Sequence, residues 1–303
     1  MSILDKAQQA AALINQHRGL IDGSSTQMII PAGVTAIRNH AFDSTPIESV
    51  TIPSGVTSIG SNAFVQCQNL GSVTIPSGVT SIGAYAFASC QNLESVSMPN
   101  TVINIFDYVF SSCYELTNIN LSTALTRIWS GLFYNCRSLV NITIPSNVTQ
   151  IDGSAFSGCS SLAEITIPNS VKSIGDYAFS RCSELTSATL GTGITTIPSK
   201  LFESCVKLEN LSIQGVCTGG VGASAFNLCY ALKNVSVANG FNANNADLSS
   251  ASQLSHDSIL GIFNALANRT GKVSFTFKIG KTNRDKMAAE EIAIATNKNW
   301  DIR

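Results

Sequence analysis

The side chains with the most chemistry to offer in this 303-residue chain are nine cysteines and three histidines. Eight of the cysteines, Cys67, Cys90, Cys113, Cys136, Cys159, Cys182, Cys205 and Cys229, recur at nearly constant spacing, and Cys217 stands between the last two. A disulfide needs Cβ atoms about 3.5 to 4.5 Å apart and turned toward each other, whereas side chains repeated along parallel strands stand about 4.8 Å apart and point the same way. The spacing therefore predicts a column of buried free thiols with raised pKa and low reactivity, and no disulfide. Thiols that geometry keeps from pairing carry no information about the redox compartment. A zinc site needs close Cys or His spacings, but there is no Cys-x-x-Cys, and His17, His40 and His256 are scattered. The same shortage of histidine argues against nucleophilic hydrolysis, and neither a Gly-x-Ser-x-Gly elbow nor a phosphate-cradling glycine loop occurs. Asp107, Asp152 and Asp176 fall near one corner of successive units, where capping of a short helical turn is the simpler role. The sequence thus predicts no catalytic residues, no metal and no cofactor.

The regularity that places the cysteines governs the whole chain. Phenylalanines stand at 42, 64, 87, 110, 133, 156, 179, 202 and 226, nearly all 23 residues apart, with Cys three residues on and Leu three beyond that. The period then changes to two, as in Val73-Thr74-Ile75 and Ile165-Thr166-Ile167, the alternation of a short strand. Proline closes most of these strands (Pro53, Pro76, Pro99, Pro145, Pro168), because it cannot donate the next ladder hydrogen bond. Val or Ile re-enters the core, another Ile and often Gly follow, and a small residue plus Phe turns the corner. A single unit has too little core to offset its own ordering entropy, so neighbours must stack, and both ends of the stack need covers. Ser2 to His17 has helical spacing and predicts a lid within 1–27; the solenoid is expected over 28–240. Residues 241–303 are expected to close it with a helix from about Ser255 to Asn268, a strand Val273 to Ile279 and a helix around Asp285 to Asn297.

Composition bounds the partners. Charged residues make up 12% of the chain and the net charge is -1, so no basic field holds a nucleic acid. The longest apolar runs fall well short of the roughly 20 residues of a membrane span, which predicts no membrane insertion. Met1-Ser2-Ile3-Leu4-Asp5-Lys6 lacks the basic start and apolar run of an export signal.

The string Ile151-Asp152-Gly153-Ser154-Ala155-Phe156-Ser157-Gly158-Cys159-Ser160-Ser161-Leu162-Ala163-Glu164-Ile165-Thr166-Ile167-Pro168 resembles the repeat of the BspA-like leucine-rich-repeat proteins of bacteria and some protists. The resemblance covers roughly residues 28 to 238. It implies a solenoid with a parallel β-sheet on one side, short helical or irregular turns on the other, and helical caps at both termini. It also implies cell-surface or secreted proteins that adhere to host proteins, cells or other microbes, and it attaches no catalytic residues to the motif. The tail from Ile279 to Trp300 also looks like an ending found on such bacterial proteins and on some phage-related ones. Two departures stand out: the first unit is one residue short with Thr45 in the Cys position, and Phe106 and Trp129 occupy the usual Gly position.

Binding is therefore sought on outward positions. Phe106 and Trp129 share one position on adjacent units, and Tyr85 and Tyr108 share another, two residues before the core Phe. The four rings are expected to lie close together, either as interface anchors or as space-filling on the convex wall, and solvent exposure distinguishes the two. The outward strand positions are short, uncharged and polar, suited to a glycan or an extended protein segment and equally to plain exposed strands. Asn118, Asn120 and Asn141 form their amide-rich centre, a second candidate patch. The leading expectation is a non-enzymatic adhesion or recognition module at the cell surface that binds a protein or glycan ligand. The alternatives are a spacer or docking component of a phage-like or secretion apparatus and, with no supporting motif, a hydrolytic enzyme. The oligomeric state is left open.

Overall fold

The computed structural model describes residues 26–303. The helix expected over Ser2 to His17 lies outside the described residues.

The repeat winds into a coil with two short strands per turn, each pairing in parallel with its equivalent in the next coil, so the solenoid has two strand-bearing walls. In the first wall, strands at the Ser-Val-Thr positions build a five-stranded sheet from Gln27–Ile29 to Asn118–Ile119 and a four-stranded sheet from Glu164–Ile167 to Asn234–Val237. The second wall was not foreseen as a sheet. Two-residue strands from Ala36–Ile37 to Asn104–Ile105 form four rungs, and those from Arg127–Ile128 to Ser173–Ile174 form three more. Equivalent residues pair in register, as in Ile128 with Ile151 and Ile165 with Ala188, so each column of the sequence becomes a column in space. The short first unit keeps this register, since Gln27 pairs with Ser49 and Ala36 with Ser58. Thr45, in the Cys position of this unit, donates at 2.8 Å to the Phe42 carbonyl of its own coil, which also takes the Cys67 thiol.

The third side of each coil is a double turn in the left-handed region, with φ of 58° at Tyr85 and 59° at Ser89 and equivalents in the other coils. Such angles cost about 1–2 kcal/mol for a residue with a side chain, and the structure compensates by aiming alternate N–H groups at the next coil. Tyr85, Phe87 and Ser89 donate to the carbonyls of Asp107, Val109 and Ser111 at 3.0, 3.0 and 2.7 Å. The phenylalanine between the two turns points inward. Val148, Ile151, Ala155, Phe156, Cys159, Leu162, Ile165 and Ile167 of one coil are all buried, and the Phe rings stack from coil to coil at centroid distances such as 5.5 Å for Phe133–Phe156 and 5.2 Å for Phe156–Phe179.

All nine cysteines are buried and unpaired. The column does more than fill space: each repeat thiol donates to the carbonyl of the Phe one coil earlier, at 3.0 Å from Cys136 to Phe110 and 3.2 Å from Cys159 to Phe133. Burial pushes the thiol pKa values up, to about 11 at Cys67 and Cys217 and further in the fully buried middle of the column.

The last coil is covered by helix α1 (His256–Ala265), which buries Ile259, Ile262 and Phe263. Its N-terminus is capped by Ser255, whose hydroxyl accepts the Ser258 N–H. The helix stops before the expected Asn268 because the Phe241 carbonyl captures the Ala267 N–H. The expected strand shrinks to Phe275–Phe277 and pairs with Trp300–Ile302, a strand not anticipated from the sequence. The expected terminal helix begins later than Asp285, as α3 (Ala289–Thr296), because the Glu291 carboxylate takes the Ala288 N–H and starts the helix there; a short helix not anticipated from the sequence, α2 (Lys281–Arg284), precedes it.

Candidate binding surfaces

On the second wall, alternation turns Ile105, Ile128 and Ile151 inward and their neighbours outward. One outward column reads Asn104, Arg127, Gln150, the other Phe106, Trp129, Asp152. Glycine suits the second column, because a Cβ on Gly83 would stand 2.5 Å from the Ser61 nitrogen of the preceding coil. Phe106 and Trp129 are the one adjacent pair that both place a large ring there. Their centroids lie 5.4 Å apart with planes tilted 43°, wider than the spacing of about 4.8 Å that a strand ladder requires. The second-wall sheet is interrupted at this step, between Asn104–Ile105 and Arg127–Ile128. Phe106 is 38% exposed, and Trp129 is half-buried.

Trp129 also meets a cation. The Arg127 guanidinium lies 4.0 Å from the indole centroid, and its Nε donates to Asp152 Oδ2 at 2.7 Å. Gln150 donates to the other carboxylate oxygen at 2.7 Å, and Asp152 is only 8% exposed. Cation–π stacking contributes about 0.5–1 kcal/mol at such a partly exposed site, and the ion pair fixes the guanidinium plane. The result is a ridge of Phe106, Trp129 and Arg127 backed by Asp152, beside an open groove of about 390 Å³ that continues over Gly153, Ser173 and Gly175. Sequence reasoning read Asp152 as a turn cap and passed over Arg127 and Gln150, which stand two residues before Trp129 and Asp152 and so share their outward face of the strand. Asp107 and Asp176 do cap, but across coils, accepting the N–H groups of Ser130 and Ser199 at 3.2 and 2.9 Å.

Tyr85 and Tyr108 stand on the left-handed turn and stack at 5.1 Å with planes 4° apart. Tyr108 continues edge-on to Tyr134 at 6.4 Å. Gly131 makes this possible, since a Cβ on it would fall 2.1 Å from a Tyr108 ring carbon. Burial raises the Tyr108 phenol above its ordinary pKa, with Tyr85, Asp107 and Tyr134 adding to the shift. Tyr85 is 42% exposed. The four rings thus form two pairs, Phe106 with Trp129 and Tyr85 with Tyr108, and among the described residues no ring contact joins them.

Asn118, Asn120 and Asn141 are exposed on the first wall. Asn118 lies on the last rung of the five-stranded sheet, and residues 141–144 belong to neither sheet, so this amide-rich patch sits where the first-wall ladder is interrupted. Both interruptions flank one coil, in which Ser122 replaces the usual proline and is fully buried.

The ionisable groups outside these patches are spread out. His40 bonds Asp43 and Asn62, and His256 bonds Asp257 and Glu291, so neither is joined to a hydroxyl or thiol nucleophile. Among the described residues, no group of three or more His, Cys, Asp or Glu side chains is arranged to hold a metal ion, and no helix is long and apolar enough to cross a membrane.

Three solved structures share this architecture. A leucine-rich cell-surface protein of Faecalibacterium prausnitzii is 24% identical with a TM-score of 0.59, covering 92% of this chain and 88% of that one. A leucine-rich-repeat protein of Bacteroides ovatus is 22% identical with a TM-score of 0.51, covering 92% and 84%. The pneumococcal vaccine antigen PcpA is 17% identical with a TM-score of 0.50, covering 91% and 78%. No curated protein matches the chain. The profile described as BspA type Leucine rich repeat region matches residues 35–163 and 153–263 in six copies, and with the periodic core and paired walls described above, the chain belongs to the BspA-type leucine-rich-repeat family.

Proposed function

We propose that the chain is a non-enzymatic recognition module of a bacterial cell surface that engages a partner protein through the outer face of its second wall. The observation that carries this reading is the Phe106–Trp129 ridge. Large rings replace glycine on adjacent coils where the ladder loses a step, they add nothing to the interior, and Arg127, tied to Asp152, holds Trp129 in place. Exposed aromatic and arginine side chains on a rigid support are the usual anchors of protein interfaces, because they bring contact area with little ordering entropy. Tyr85 and Tyr108 extend the apolar surface around the corner, and the Asn118, Asn120 and Asn141 patch offers a polar contact zone on the other wall. The surface location rests on the likeness to the Faecalibacterium cell-surface protein.

The test is binding of the purified chain to immobilised matrix proteins, mucin glycans and intact bacterial cells, in parallel with a Phe106→Ala/Trp129→Ala variant. Binding by the native chain that drops by about tenfold or more in the variant, the effect of losing one anchor residue, supports the aromatic face. Undiminished binding by the variant removes that face from the account.

A further inference from the structure

We propose that the groove between the C-terminal end of the first wall and helix α1 binds a neutral oligosaccharide. This goes beyond the aromatic face, using neither Phe106 nor Trp129, and rests only on the chain being a recognition module.

The groove holds about 620 Å³. Its floor is the most regular part of the sheet, where Ser187, Asn210 and Asn234 pair in one column and Thr189, Ser212 and Ser236 in the next. Helix α1 follows the last strand as if it were the next rung, its Ser258 hydroxyl accepting the Val235 N–H at 3.1 Å. A helix is far thicker than a strand, so α1 rises above the sheet plane and turns a flat wall into a corner.

The lining chemistry selects among ligands. Asp257 is the one ionisable side chain that lines the groove, and no cation does, so nothing there neutralises the charge of an anion. A cation would find a single carboxylate that is 98% exposed, which water screens. An extended peptide adds to a sheet through a free strand edge, but here α1 already covers the edge strand. Nor is there an open apolar pocket to anchor a side chain, because Leu211 and Val235 are buried beneath the polar columns. What remains is a surface of hydroxyls and amides partly engaged with one another. Asn234 Nδ2 donates to Asn210 Oδ1 at 2.8 Å and Ser236 Oγ to Ser212 Oγ at 3.2 Å. Each ladder therefore leaves a donor on one residue and an acceptor on its neighbour facing the groove. A sugar hydroxyl both donates and accepts, so it satisfies such a mixed array wherever it lands, and the columns repeat at the strand spacing of about 4.8 Å, suited to a ligand that itself repeats.

Gly261 is an independent sign. It lies inside α1, where glycine is less favourable than alanine, yet a Cβ there would meet no atom within 4 Å. The packing of the protein gives no reason for a glycine at this point. It lines the groove, and a ligand occupying that space does give one.

The experiment is affinity electrophoresis of the full chain through gels containing galactomannan, mannan or mixed-linkage β-glucan, with polygalacturonate and dextran sulfate as anionic comparators. The native chain is expected to be retarded by at least one neutral polysaccharide and by neither anionic one. Gly261→Trp, which fills the groove from an open position, and Asn210→Ala/Asn234→Ala, which strips the floor, are each expected to weaken that retardation by about tenfold or more with little change in melting temperature. Phe106→Ala/Trp129→Ala is expected to leave it unchanged, which separates this site from the aromatic face. No retardation by any neutral polysaccharide, retardation confined to the anionic gels, or full retardation of the folded Gly261→Trp variant overturns the proposal.

Discussion

The interior of the solenoid and the outer face of its second wall use the same kind of residue to opposite ends. Inside, Phe133, Phe156 and Phe179 stack between coils at every step, each ring is fully buried, and the backbone turn on either side closes onto the next coil. Outside, Phe106 and Trp129 also stack between coils, but they do so where glycine lets neighbours close up, and the ladder opens between them. The interior column makes the fold, and the exterior pair stands where its ladder is broken. A side chain that costs order without adding to the core has another use, and this contrast directs attention to the ridge rather than to the many polar positions that repeat without change.

The contrast can be broken by substitution, beginning with the largest effect. Phe156→Ala is expected to lower stability by about 3–5 kcal/mol in urea unfolding, since it empties the middle of the ring column. The double variant Phe106→Ala/Trp129→Ala removes more atoms from the outside yet is expected to change stability by less than about 1 kcal/mol; equal losses would erase the distinction between the two regions.

Gly131→Ala comes next. It places a side chain at φ 58° and against the Tyr108 ring, and about 1–3 kcal/mol of destabilisation together with altered Tyr108 fluorescence or ring shifts by NMR are expected.

The thiol column sharpens the interior half. Cys136→Ser keeps a donor for the Phe110 carbonyl, whereas Cys136→Ala leaves that carbonyl only the Cys113 N–H at 3.3 Å, a loss of about 1 kcal/mol beyond the change in apolar contact, measurable by comparing each with Cys136→Val. Because the folded thiol pKa values are raised, the folded state holds its protons where the unfolded chain releases them. Their contribution is complete below the unfolded value of about 8.5 and is lost as pH rises through the folded values, near 11 for Cys67 and Cys217. Unfolding midpoints should therefore be flat on this account up to about pH 8.5 and fall above it, and alkylating reagents at neutral pH should label the cysteines only once the chain is denatured.

The smallest effect belongs to His256. Glu291 and then Asp257 raise its pKa, and the Ala288 N–H and His256 together lower that of Glu291. The histidine stabilises below its unfolded value and ceases to do so as pH rises through its folded one; the carboxylate stabilises above its unfolded value and ceases to do so as pH falls. The melting temperature of His256→Gln is expected to approach that of the native chain on going from pH 5 to pH 9, by a shift small enough that only paired scans reveal it.

Much of the fold is legible in the sequence because each buried position repeats. Phe, Cys, Leu and Ile recur in register, and register is all that a stack of equivalent coils requires. The second wall escaped notice because its strands are two residues long, too short for alternation to show, as at Ile128 with one outward neighbour on each side. The thiol-to-carbonyl bonds escaped because a cysteine at an apolar position reads as a small hydrophobe, and only the path of the neighbouring backbone turns it into a donor. For the candidate surface, Phe106 and Trp129 were visible as departures from glycine. Arg127 was not, since an arginine on an exposed strand is ordinary until its contacts with Trp129 and Asp152 are seen. The groove beside α1 depends on how a helix meets a sheet, which no local pattern encodes.

The in-register pairing carries a consequence for the length of the molecule. Gln150 meets Ser173 through the same backbone bonds by which Arg127 meets Gln150, and Phe156 sits between Phe133 and Phe179 as each ring sits between its own neighbours. Excising one 23-residue segment, such as 154–176, would bring together two surfaces that already know how to meet. Reach is therefore a dimension that recombination between look-alike stretches of the gene can lengthen or trim in whole steps, leaving every joint as it was.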